Sequence, residues 1–306
     1  MWESRTSPDI NFVEATQLGG LYAIQTAIGV SAGNGYREVM GVGDESRPRG
    51  PRRDAGQRDQ RSRSADQARY DGPPIDESIT GRELDRSVSQ QLRGMPEKLA
   101  ARVARHLVAA GQLLDDDPKA AYQHTLAARA RAARIAVVRE ACGEAAYAAG
   151  LYAEALSELR AAKRMNGAQD YLAVMADCDR ALGRPEKALA LAKNPAVANL
   201  SEDLKAEMTI VEAGARRDLG ELDAAIRTLE NAPLRSRSRA EWVVRLRYAY
   251  ADTLLAAGRT EDAIVWFHRT AGADGGAVTD AVARLADLEG LVVTDTVEEH
   301  ESGRRG

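Results

Sequence analysis

Aromatic residues and cysteines are scarce in this chain of 306 residues, which is 5% aromatic and has two cysteines. Its apolar residues, 44% of the chain, are mainly alanine and leucine, which are strong helix formers. This composition predicts an all-α protein whose helices contact one another through small side chains. Cys142 and Cys178 both fall in alanine-rich helical patterns, so we expect buried thiols. A disulfide or a metal pair is the less favoured alternative.

Long apolar runs are also missing. Residues 18–33 form the one candidate segment, and it is too short and too polar to span a bilayer. It also has no basic region before it, as a signal peptide would. We therefore expect no membrane partner and a cytoplasmic location.

The pattern of a catalytic or metal site is absent as well. The glycine-rich residues 29–43 lack the lysine and hydroxyl residue that end a phosphate loop. Asp115, Asp116 and Asp117 are better explained by the N-terminus of a helix than by a cation site. The sequence predicts a protein that is not an enzyme and holds no metal or cofactor. We expect surface or helix-end positions for the four scattered histidines, His106, His124, His268 and His300.

The net charge of −4 is unevenly distributed, because residues 47–69 carry eight arginines against three aspartates. Residues 40–76 have almost no large apolar side chain, so we expect them to be disordered. Guanidinium groups bind phosphate bidentately, and such an arm can follow a nucleic-acid backbone, although no aromatic residue interleaves with the arginines. The candidate nucleic-acid contacts are Arg47, Arg49, Arg52, Arg53, Arg58, Arg61, Arg63 and Arg69.

Composition divides the chain into three parts. We expect a disordered region over residues 1–79, a helical repeat domain over 80–290 and a disordered polar tail over 291–306. The codons for residues 37–39 can spell a ribosome-binding sequence just before Met40. A natural start at Met40, with residues 1–39 not part of the native protein, is therefore kept as an alternative.

Helix starts are predicted from capping residues. Thr80 to Glu83 has the spacing of a capping box, which predicts a helix from Thr80 with Leu84, Val88 and Leu92 on one face. Prolines that suit a first helical turn predict three more starts, at Pro96, Pro118 and Pro185. About twelve helices result.

Five glycines each follow one helical pattern and precede another, at spacings of 39, 33, 37 and 38 residues. They are Gly111, Gly150, Gly183, Gly220 and Gly258. Such a period indicates repeated helical hairpins, in which glycine accepts the left-handed backbone that closes the first helix. A small residue stands seven positions before each glycine, at Ala104, Gly143, Ala176, Ala213 and Ala251. Alanine stands five positions after the last four, at Ala155, Ala188, Ala225 and Ala263. Nine positions after the same four glycines stand Leu159, Ala192, Leu229 and Phe267.

Residues 143–162, GEAAYAAGLYAEALSELRAA, resemble the tetratricopeptide repeat, including the aromatic Tyr152 after the turn glycine. Stretches such as TGRELDR, VREACGEAAYAAG and MADCDRALGRPEKAL are similar to a group of repeat proteins from high-GC bacteria, over about residues 72–290. The resemblance implies an α-solenoid of about five helical hairpins. It also implies that a peptide or protein partner binds in a concave groove.

The groove positions of tetratricopeptide hairpins are found by counting back from each turn glycine. The candidate partner-binding residues are Glu140, Glu144, Tyr147, Asp170, Asp177, Arg180, Glu207, Arg217, Arg245, Tyr248 and Asp252. This set is acidic toward its N-terminal half, which suits a basic segment such as the chain's own arginine arm. We expect a non-catalytic interaction module or scaffold, and the alternative is an RNA- or ribosome-associated factor that uses the arm.

Overall fold

The computed structural model describes residues 72–290. The candidate arm, the alternative start at Met40 and the predicted polar tail lie outside the described residues. Within them the chain is all-α and has no strand, which confirms the all-α part of the predicted fold class. None of the helices in this part of the chain is long and apolar enough to cross a membrane.

Twelve α-helices and one short 3-10 helix follow one another along residues 72–290. They are α1 (Arg86–Gln91), α2 (Glu97–Leu113), α3 (Pro118–Ala132), α4 (Ala136–Ala148), α5 (Tyr152–Asn166), α6 (Leu172–Ala181), α7 (Pro185–Ala192), the 3-10 helix (Pro195–Asn199), α8 (Glu202–Asp218), α9 (Leu222–Glu230), α10 (Glu241–Ala256), α11 (Thr260–Ala271) and α12 (Ala281–Glu289).

The range predicted as one repeat domain divides into two compact units, the first ending at Val211 and the second beginning at Glu212. In the first unit the helices α2 to α7 form a series in which each helix packs on its neighbour in sequence. In the second unit the helices from α9 to α12 do the same. Contacts between neighbours in sequence are what repeated helical hairpins require.

Four of the turns between helices share one geometry. At the first of them, the Gly150 N–H donates to the Tyr147 carbonyl and the Leu151 N–H donates to the Ala146 carbonyl. This pair of bonds is the Schellman motif, which satisfies the last carbonyls of a helix. The same pair recurs at Gly183, Gly220 and Gly258, and the φ angles of the four glycines lie between 69° and 76°. The predicted role of these glycines is confirmed.

The prediction for Gly111 is wrong. This glycine lies inside α2, which continues to Leu113, and it does not adopt a positive φ. The chain turns later, at residues 114–117, where the Asp117 side chain accepts a hydrogen bond of 2.9 Å from the Ala120 N–H. Asp117 thus caps the start of α3, and its own N–H donates to the Leu113 carbonyl at 2.7 Å at the end of α2.

The predicted helix start at Thr80 is also shifted. The Thr80 N–H does donate to Glu83 Oε1 at 2.9 Å, as in a capping box. This bond closes a turn, however, and α1 begins only at Arg86, with Asp85 as its cap. Leu84, Val88 and Leu92 are all buried, so the predicted apolar face is confirmed.

Residues 72–79, which the composition places in the disordered region, pack on the helices that follow. The Arg105 guanidinium donates to the Ile79 carbonyl at 2.6 Å and to the Asp76 carbonyl at 3.0 Å. Ile79 is buried, and Gly72 lies against Ala127 and His106. Composition averaged over the segment gives no weight to a single distant arginine that binds its carbonyls.

The small residues predicted at the helix contacts lie where the helices approach most closely. A Cβ at Gly143 would stand 2.5 Å from the Leu159 side chain, so α4 and α5 leave no room for one. Ala155 and its counterparts Ala188, Ala225 and Ala263 are fully buried. Of the four positions nine residues after the glycines, Ala192 alone is half-buried, since α7 is short.

The close approach of α4 and α5 predicts that a larger side chain at Ala155 lowers stability. Leucine at position 155 should force α4 and α5 apart, because overpacking of a filled contact costs about 1 to 3 kcal/mol. We expect the melting temperature of Ala155→Leu, followed by circular dichroism at 222 nm, to fall by about 2 to 4 °C for each kcal/mol lost.

Ala153→Leu is the matched control, because it makes the same substitution at an exposed position of the same helix. Its effect should stay within about 0.5 kcal/mol of the parent. Equal melting temperatures for the two variants would show that α4 and α5 do not pack as described.

Candidate partner-binding site

The structure places most of the predicted groove residues in protein contacts. Asp170 is exposed, and Glu140, Glu207, Arg217 and Asp252 are half-buried. The remaining six are buried, namely Glu144, Tyr147, Asp177, Arg180, Arg245 and Tyr248. The eight arm arginines lie outside the described residues, so their role stays a prediction.

Two pairs of predicted groove residues contact each other across successive hairpins. The Tyr147 hydroxyl, three residues before Gly150, donates to Asp177 Oδ2 at 2.6 Å, and Asp177 is six residues before Gly183. In the second unit, Arg217 Nη1 donates to Asp252 Oδ2 at 2.7 Å. These two residues also lie three and six positions before their turn glycines, Gly220 and Gly258. The two units therefore repeat one contact at the same positions.

These contacts withdraw several of the predicted groove charges from solvent. Asp177 also pairs with Arg180 at 2.8 Å, and both side chains are buried. Asp252 pairs with Arg284 at 2.6 Å as well as with Arg217. A buried carboxylate is tolerated because it has such partners. Counting positions along the sequence identifies the right helix face, but it does not show that neighbouring faces neutralise one another.

Three of the predicted acidic residues behave differently, and we call Glu140, Glu144 and Asp170 the acidic cluster. Burial, with repulsion from Asp170, raises the pKa of Glu140 above 4.5. Burial, with repulsion from Glu140, raises the pKa of Glu144 well above 4.5. Glu140 therefore lies close enough to Asp170 and to Glu144 for repulsion. Glu140 and Glu144 are in α4, and Asp170 lies two residues before α6.

Neutral neighbours hold the acidic cluster in place. The Asn166 amide at the end of α5 donates to Glu140 Oε1 at 2.6 Å. The Tyr171 hydroxyl hydrogen-bonds the Glu144 carboxylate, and burial beside that carboxylate raises the pKa of Tyr171 well above 10. Glu144 Oε1 is buried and has no hydrogen-bond partner within the described part of the chain. A buried acceptor without a donor is costly, so this oxygen adds to the free-energy cost of keeping Glu144 ionised.

The absence of a cation sets the acidic cluster apart from other buried carboxylates. Glu158 is paired with Arg129 and with Arg139, and Asp179 with Arg160 and Arg184. Within residues 72–290 no arginine or lysine forms an ion pair with a member of the acidic cluster. The chain thus neutralises its other buried acids and leaves this negative surface unpaired.

The two histidines predicted at surface or helix-end positions are buried instead. His106 in α2 and His124 in α3 approach each other, with their Nδ1 atoms 3.0 Å apart. One ring must donate and the other accept, and burial lowers the pKa of His124, so a neutral pair joins the two helices. The 18-residue separation carries no recognisable spacing, which is why sequence reasoning missed this contact. His268, by contrast, is exposed and pairs with Glu289.

The two cysteines are free and buried, as predicted. Burial raises the pKa of Cys142 to about 12 and also raises the pKa of Cys178. Thiols of this kind stay protonated at neutral pH and are poor nucleophiles. They contribute to the packing of α4 and α6 rather than to a reactive site.

Comparison with known proteins identifies no family for this chain. No protein-family model matches the chain, and neither the curated proteins nor the solved structures include a match.

The acidic cluster makes stability depend on pH. A carboxyl whose pKa is raised on folding contributes stability that is fully present below its unfolded pKa and lost as the pH rises through the folded pKa. Glu144→Gln removes this loss, because the amide cannot ionise. At pH 8 we expect the free energy of unfolding of the variant to exceed that of the parent by at least about 1 kcal/mol. The difference should shrink toward pH 4.

Thermal unfolding of both proteins between pH 4 and pH 8 measures this difference. Glu186→Gln, at an exposed position of α7, serves as control and should follow the parent at every pH. A Glu144→Gln profile parallel to that of the parent would mean that Glu144 titrates normally in the folded protein.

Proposed function

We propose that the described helices form tetratricopeptide-like repeats and that the chain is a non-catalytic module or scaffold that binds a protein partner. Two regularities support the repeats. One Schellman turn recurs at four glycines, and one contact between the third and sixth residues before those glycines recurs in each unit. Helical repeats of this kind bind extended or helical segments of other proteins.

The partner segment is proposed to be basic, and the unpaired acidic cluster is the observation that carries this step. An arginine or lysine placed beside Glu140, which is half-buried, and Asp170, which is exposed, relieves the repulsion within the acidic cluster. A half-buried site strengthens such pairs, because solvent screens them less than it screens exposed ones. Asp177 is left out of this site, since Tyr147 and Arg180 already bind its oxygens.

The chain's own arginine arm is one basic segment of the required composition, and it can occupy the site until a partner displaces it. The arm is also the basis of the alternative function, contact with RNA or the ribosome. Both uses of the arm remain predictions, because the arm lies outside the described residues. Purified protein that carries nucleic acid removable by high salt would favour the alternative.

Binding can be measured with a peptide of residues 47–69, which has eight arginines and three aspartates. The protein is the full chain with its eight arm arginines changed to glutamine, so that the arm cannot compete. We expect saturable binding by fluorescence anisotropy at low salt, weakened at high salt. Neutralising the cluster by Glu140→Gln, Glu144→Gln and Asp170→Asn together should weaken it about tenfold or more.

The matched control removes the same three charges from exposed positions, by Glu77→Gln, Asp116→Asn and Glu186→Gln. It should bind as the parent does, apart from the small effect of net charge. Equal losses in the two triple variants would reduce the interaction to non-specific charge attraction. Absence of binding by the parent would contradict the proposal that this site takes a basic segment.

A further inference from the structure

The second unit contains an open pocket lined by five arginines, which we call the arginine pocket. The connection between α9 and α10 lies against the C-terminal half of α11 and encloses a volume of about 710 Å³. A pocket of this size can hold a ligand larger than a single small ion. No acidic residue lines it. The lining residues include Arg235, Arg237, Arg239, Arg247, Arg269 and Trp266.

The protein backbone fixes two of these guanidinium groups in place. Arg247 donates from Nε to the Leu234 carbonyl at 2.9 Å and from Nη2 to the Ser236 carbonyl. Arg239 Nη2 donates to the Gly272 carbonyl at 3.0 Å. A guanidinium has five N–H donors, so Arg247 keeps three and Arg239 keeps four for a ligand. Donors that are already oriented lose little freedom when a ligand binds.

A third arginine is held by an aromatic ring. The Arg269 guanidinium lies 4.5 Å from the centre of the Trp266 ring, and the Tyr250 ring meets the same indole edge-on at 5.0 Å. This cation–π contact positions Arg269 and leaves its donors free for a ligand. The indole thus contacts both Arg269 and Tyr250.

The positive charges of the arginine pocket have no carboxylate partner among residues 72–290. In the described part of the chain none of the five arginines forms an ion pair with a carboxylate, unlike Arg129, Arg180 and Arg217. Burial, with repulsion from Arg269, lowers the pKa of Arg247. Like charges held together in a pocket are stabilised when an anion binds between them.

We propose that the arginine pocket binds a diphosphate group, as found in inorganic pyrophosphate or in a nucleoside diphosphate. Phosphate oxygens match the paired N–H donors of guanidinium groups, and a diphosphate supplies enough oxygens to engage several of them at once. Five cations exceed what one carboxylate or one phosphate can neutralise. A nucleic-acid strand fits less well, since strand binding relies on successive bases that stack on aromatic rings, and the one aromatic lining residue, Trp266, already contacts Arg269. The site is independent of the acidic cluster.

Isothermal titration calorimetry of the full chain with pyrophosphate, ADP and adenosine at about 0.15 M ionic strength tests this proposal. We expect pyrophosphate and ADP each to bind one site and adenosine to show no binding. Affinity for ADP equal to that for pyrophosphate assigns recognition to the diphosphate alone. Tighter binding of ADP means that the pocket also contacts the nucleoside.

Two double variants locate the site. Arg247→Gln with Arg269→Gln removes two of the three positioned arginines. Arg235→Gln with Arg237→Gln removes two arginines from the exposed connection, where substitution does not threaten the fold. Each should weaken pyrophosphate binding about tenfold or more. Arg164→Gln with Arg227→Gln removes the same charge from exposed positions outside the pocket and should leave the affinity unchanged.

Three results would overturn the proposal. The first is no saturable binding of pyrophosphate or ADP by the parent. The second is equal affinity in the exposed-connection variant and the parent. The third is tighter binding of a single-stranded oligonucleotide than of pyrophosphate, with the oligonucleotide binding lost in the same arginine variants. That result would assign the pocket to a nucleic-acid strand.

Discussion

The structure depends on the close approach of paired helices at positions that carry little or no side chain. Gly143 has no room for a Cβ beside Leu159, and Ala155, Ala225 and Ala263 are fully buried at the equivalent contacts. A Schellman turn that only glycine closes cheaply sets where each second helix starts. Tyr147 and Arg217 each lie three residues before a turn glycine, and they contact Asp177 and Asp252, which each lie six residues before the next one.

This regular packing brings polar side chains into the interior, and the chain neutralises most of them. Asp177, Asp179 and Asp252 each contact at least one arginine, and Glu158 contacts two. Against that background, two groups of like charges have no partner of opposite charge among the described residues: the acidic cluster in the first unit and the arginine pocket in the second. Like charges held together destabilise a fold unless a ligand binds them, so we propose both regions as binding sites.

Much of this architecture could be predicted from the sequence, because it follows from local rules. The four glycine turns, the apolar face of α1 and the buried alanines all follow from residue type and spacing. Gly111 was misassigned because α2 continues through it to Leu113. The contacts His106–His124 and Arg105–Ile79 join residues with no spacing in common, and the burial of Tyr147 and Asp177 depends on how one hairpin meets the next. Such contacts are decided in three dimensions.

The central claim is that Glu140 and Glu144 are held as an unpaired acidic cluster that a cation can complete. Carbon-13 NMR of labelled glutamate carboxyls measures their titration directly in the folded protein. The account predicts a pKa above 4.5 for both groups, higher for Glu144, and a fall in both values when the basic peptide is added. Ordinary values near 4.5 that do not change with the peptide would contradict it.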